Sequence, residues 1–145
     1  MTGTGAPLPG WESLSQRLCA QEPGLYELEP GGALALHLNE EGWLLELTPD
    51  GRLICQTGMD IDDLKVLLSE GTCEDLGTDE IAKQAKGLMN RTVSHHRPVL
   101  LREGFEEQTE MNEQYVAVTF SQPVDLHDVD RLANRIRWCQ RQFAG

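Results

Sequence analysis

Apolar and polar positions divide the chain into stretches of different period. In the last of them Val129, Leu132, Ala133, Ile136, Cys139 and Phe143 recur at steps of three or four, which lines one face of a helix with apolar side chains. The spacing predicts an amphipathic helix over Asp125 to Phe143 whose apolar face must be buried. Asp125 or Asp128 can cap its start. Asp125, Asp128 and Asp130 lie where the helix dipole favours negative charge, and Arg135, Arg137 and Arg141 lie towards the end where it favours positive charge. Just upstream, Gln114 to Phe120 is the most β-prone run of the chain, joined to the helix by a turn over Ser121-Gln122-Pro123-Val124.

Residues 1–10 hold three glycines and two prolines with no periodicity, and a mobile tail is expected there, followed by a single domain over 11–145. Trp11 to Ala20 reads as a short helix with Trp11, Leu14 and Leu18 along one side, ended by Gln21-Glu22-Pro23-Gly24. From Leu25 to Met59 the pattern shifts to short apolar runs: Leu25–Glu29, Ala33–Leu38, Gly42–Leu47 and Arg52–Gln56. Turn residues separate them, at Pro30-Gly31-Gly32, Asn39-Glu40-Glu41-Gly42 and Thr48-Pro49-Asp50-Gly51. This predicts an antiparallel meander. Alternation puts Trp43, Leu45 and Leu47 on one face and Leu44 with Glu46 on the other; likewise Leu34, Leu36 and Leu38 oppose Ala33, Ala35 and His37. One face is core. The second keeps Ala35, Leu44 and Ile54, an apolar surplus.

Asp60, Asp62 and Asp63 open a helical stretch with Ile61, Leu64, Leu67 and Leu68 on one side, stopped by Gly71, and Ser69 to Gly77 reads as an acidic loop. Thr78 or Asp79 can cap a central helix striped by Ile81, Ala85, Leu88, Met89 and Val93, broken at His95-His96-Arg97-Pro98. The stripe exceeds what one small sheet needs to cover, which favours a homodimer. Val99 to Arg102 is expected as a strand, Gly104 to Asn112 as an acidic loop or hairpin, and Tyr115–Phe120 as its returning partner. The expected fold class is α+β: an antiparallel sheet, made of a meander and two further strands, flanked by an N-terminal, a central and a C-terminal helix.

Composition narrows the function classes. Twenty-four acids against twelve bases give a net charge of −12 in 145 residues. Phosphate binding needs clustered Lys and Arg, so nucleic acid is not an expected partner; the arginines of the terminal helix form the one basic cluster. No apolar run approaches the ~20 residues that span a bilayer, and the first residues lack the basic and apolar segments of a signal peptide, so a cytoplasmic, membrane-free protein is expected. Cys19, Cys55, Cys73 and Cys139 are far apart with no Cys-x-x-Cys pair; they are expected reduced, with Cys55 and Cys139 as small core residues.

Candidate chemistry is sparse. His95 and His96 are adjacent, cannot share a helix side, and have no further His or Cys at zinc-ligand spacing. Cys73 with His95 or His96 is the remaining nucleophile–base combination. Asp60, Asp62 and Asp63 lack the Gly and terminal Glu of a calcium loop, and no phosphate-binding glycine motif occurs, so no metal or cofactor is expected.

The strand at Tyr115–Phe120, the Pro-Val-Asp-Leu turn at Pro123 to Leu126 and the terminal helix with Val129, Leu132, Ile136 and Phe143 resemble the ending of class I type III secretion chaperones. Small size, acidity and the order of elements extend the resemblance over most of the chain. It implies a homodimeric, non-enzymatic protein around which the amino-terminal segment of a secreted effector wraps in extended form, with apolar side chains in sheet grooves. Ala35, Trp43, Leu44 and Ile54 of the meander are then the expected partner-binding residues. An acidic immunity or inhibitor protein for a basic toxin is a second reading from the charge, and a small enzyme using Cys73 and a histidine a third.

Overall fold

The computed structural model describes residues 10–40, 42–71 and 78–144. Its elements are α1 (Trp11–Gln21), β1 (Tyr26–Glu27), β2 (Leu34–His37), β3 (Leu44–Leu47), β4 (Arg52–Asp60), α2 (Ile61–Gly71), α3 (Thr78–Ser94), α4 (Arg97–Arg102), β5 (Glu106–Met111), β6 (Tyr115–Pro123) and α5 (Val129–Phe143). The strands form one open antiparallel sheet in the order β1-β2-β3-β4-β6-β5, and the fold is α+β. By residue contacts the chain gathers into two compact units: the part up to Cys55 with the part from Ser121 onward, and Gln56–Phe120.

In the first unit, β1, β2 and β3 form the expected meander, with Leu34 opposite Leu47 and Leu36 opposite Leu45. Leu34, Leu36, Leu45, Leu47, Leu53 and Cys55 are all at most 2% exposed. The apolar face of α5 meets this core at two places. Trp43 and Phe143 pack with ring centroids 4.6 Å apart, and the thiols of Cys55 and Cys139 share a hydrogen bond. Helix α1 lies against α5, and Glu22, just past the end of α1, accepts a hydrogen bond from Nε of Arg137 in α5. The tight turn before β4 needs Gly51. Its φ is +90°, in the left-handed region closed to most side chains, and a Cβ there would stand 3.2 Å from the Val124 carbonyl oxygen. Helix α5 begins at Val129 rather than Asp125: Asp128 caps it, accepting from the Arg131 N–H at 3.1 Å. Asp125 instead closes a turn, accepting from the His127 N–H at 2.8 Å.

In the second unit, α2 starts where Asp60 accepts from the Asp62 N–H at 2.8 Å. It runs on through Ser69 to Gly71, so the first part of the expected acidic loop is helical; the remaining segment, 72–77 with Cys73, lies outside the described residues, as do residues 1–9 of the expected tail. Ile81, Ala85, Met89 and Val93 of α3 are buried within the chain itself. Leu88, the remaining member of the stripe, is half-buried, so most of the stripe is covered within the chain and only a small apolar surplus is left for a dimer. One expectation is corrected. Val99 to Arg102 is helical, not a strand: Pro98 stands in the first turn of α4, where its missing N–H costs nothing, and Leu100 is fully buried while Leu101 is 45% exposed. Of the loop or hairpin expected before Tyr115, the hairpin forms: its first arm is the edge strand β5, tied to α4 by a two-pronged ion pair in which Arg97 Nε and Nη2 lie 2.7 and 2.9 Å from the Glu107 carboxylate. No helix among the described residues is long and apolar enough to cross a membrane.

A candidate partner-binding face

The second face of the meander follows from strict alternation. Along β3 and the first half of β4, Leu45, Leu47, Leu53 and Cys55 are buried against α5, while Leu44, Glu46, Arg52 and Ile54 point the other way and are half-buried. Pairing carries the same face across β2 and β1, since Ala35 stands opposite both Glu46 and Tyr26, and His37 opposite Leu44. Beyond Tyr26, the Leu28 N–H donates to the Ala33 carbonyl at 2.9 Å, which continues the ladder. Tyr26 and Leu28 are 39% and 48% exposed, the most exposed large apolar side chains among the described residues of this unit.

Of the four residues expected to contact a partner, the structure brings Leu44 and Ile54 onto this face with accessible surface. Ala35 also belongs to the face, but it has no exposed surface and forms its floor. Trp43 is fully buried on the core side against Phe143; the period that separates it from Leu44 puts it with Leu45 and Leu47, and it can only support the sheet. Tyr26 and Leu28 take the place of these two. Their two-residue spacing in Leu25–Glu29 is the signal that marks them, weakened because β1 itself is two residues long.

Polar groups on the face are held in place. Tyr26 and His37 stack with ring centroids 5.9 Å apart, and the tyrosine hydroxyl lies 3.3 Å from His37 Nε2. Arg52 Nη2 donates to Ser121 Oγ at 2.9 Å. Glu46 differs: burial among its neighbours raises its carboxyl above the usual range. A carboxylate so placed gains from a cation brought by a partner.

Of the reactive residues considered from sequence, Cys73 lies outside the described residues. His95 is exposed and His96 half-buried at the turn between α3 and α4. Burial, and next the Glu27 carboxylate, push the Cys19 thiol up; Cys55 is pushed up by its hydrogen bond with Cys139 and by burial. Neither thiol is a ready nucleophile. Among the described residues no three His, Cys, Asp or Glu side chains converge on a metal position. No protein-family model, curated protein or solved structure matches the chain.

Proposed function

We propose that this protein is a non-enzymatic binding protein of the secretion-chaperone kind, which holds an extended segment of a partner protein on the second face of its meander. One observation carries the reading. The face turned away from α5 keeps Tyr26, Leu28, Leu44 and Ile54 accessible, spread across it from the edge strand β1 to β4 around Ala35 and Glu46. Extended chains bind such places by adding to an edge and setting alternate side chains into shallow pockets. Removing the remaining apolar surface of each residue from water is worth about 1 kcal/mol, so the patch suits a segment that is gripped at several points and released intact. A cytoplasmic homodimer and a secreted effector as partner are what the resemblance to class I type III secretion chaperones adds.

The test is capture of the cognate partner from the cells that make this protein. Leu44→Glu together with Ile54→Glu is expected to abolish capture with an unchanged circular dichroism spectrum. Alanine at Cys73, His95 and His96 is expected to leave capture intact. Loss of folding in the first variant would mark both positions as core, and loss of capture in the second would move the site to the thiol and imidazoles.

A further inference from the structure

We infer that a second groove, between the end of β6 and the exposed side of α5, binds an acidic, partly apolar extended segment of a protein. This does not rest on the sheet-face reading. The groove encloses about 540 Å³ and is walled by Val124, Arg131, Arg135, Trp138 and Arg141. Its floor is built. Gln122, 7% exposed, accepts from Arg135 Nε at 3.0 Å, and the Arg135 guanidinium lies 4.8 Å from the centre of the Trp138 ring, a geometry that holds both planes in place.

The charges point to an anionic occupant. In a chain with twice as many acids as bases, Arg131 and Arg141 face solvent and, among the described residues, neither is ion-paired with a carboxylate. Asp125, also at the rim and accepting from the His127 N–H, is the single carboxylate among the lining residues, against Arg131, Arg135 and Arg141. Guanidinium groups left open in this setting are suited to carboxylates, which they grip through two parallel hydrogen bonds. Spacing then selects among anions. Arg131 and Arg141 stand ten positions apart on one helix, about 15 Å along its axis, too far to close on one phosphate. An extended chain covers that length in about five residues, with acids meeting the arginines and an apolar side chain meeting Trp138 and Val124. The chain's overall negative charge is screened beyond about 8 Å in physiological salt, so the local sign of the groove governs contact.

Trp138 supplies the readout, because Trp11 and Trp43 are at most 2% exposed and only Trp138 meets the groove. The full chain is titrated with an end-blocked peptide of about ten residues alternating Glu and Leu, with a Lys-and-Leu peptide, inorganic phosphate and a single-stranded oligonucleotide as comparisons. The Glu peptide is expected to shift tryptophan emission saturably. Arg131→Gln with Arg141→Gln is expected to weaken it by roughly tenfold, and Arg131→Lys with Arg141→Lys, which keeps the charge but loses the paired hydrogen bonds, to recover only part of that loss. The inference is overturned by no saturable response, by equal binding of the Lys peptide, by undiminished affinity in the glutamine variant, or by phosphate or the oligonucleotide binding as tightly as the peptide.

Discussion

Ile136 shows how much a single position says. It has no exposed surface at the centre of the α5 stripe, and Ile136→Asp would bury a charge with no partner at a cost of several kcal/mol, about the whole stability of a small domain. The variant is expected to be unfolded by circular dichroism; a native spectrum with an unchanged Tm would refute the core described here. Glu46 makes a pH-dependent case. Burial raises its carboxyl above the ordinary 4.5, so the folded chain holds that proton more tightly than the unfolded one. Its contribution is fully present below the unfolded value and is lost as pH rises through the folded value. Glu46→Gln, neutral at every pH, should therefore raise Tm at about pH 7 and leave it nearly unchanged at about pH 4. A fall in Tm at the higher pH would mean that Glu46 has a cation partner instead. Such positions were legible from alternation alone: Leu44 and Ile54 are half-buried where period two puts them, whereas the exposure of Tyr26 depends on β1 being an edge, which only the sheet order reveals.

At the scale of elements, α1 and α5 are joined by the Glu22–Arg137 pair, with the glutamate side chain only 10% exposed. Glu22→Ala should cost about 1–3 kcal/mol in urea unfolding, because it strips a largely desolvated hydrogen bond. A cycle with Arg137→Ala tests this, since strictly additive losses would show that the pair contributes nothing. The helices with long apolar stripes, α1, α3 and α5, could be read from the sequence to within a few residues. Two short elements could not, for different reasons. Val99-Leu100-Leu101 is too brief for a period to distinguish strand from helix, and Pro98 with the Arg97–Glu107 pair decides it. Strand β5 has no buried side chain, Glu107 and Met111 being its half-buried ones. It is held by its ladder to β6, and backbone pairing leaves no mark in an apolar pattern.

For the whole molecule, the central helix gives little argument for self-association, since Ile81, Ala85, Met89 and Val93 are satisfied within one chain and only Leu88 of the stripe is half-buried. The homodimer stands on the resemblance, and sedimentation equilibrium at micromolar concentration decides it. A mass near twice 16.2 kDa is the expected result, and 16.2 kDa throughout would remove the dimer. The central claim is that a partner covers the second face of the meander. Side-chain footprinting by a diffusible carbene, on the free protein and on the complex recovered from its own cells, tests it most directly. Tyr26, Leu28, Leu44 and Ile54 are predicted to lose labelling in the complex while Val66 and Leu101, exposed on other elements, keep theirs; unchanged labelling of those four residues in a complex that protects other surfaces would contradict the account.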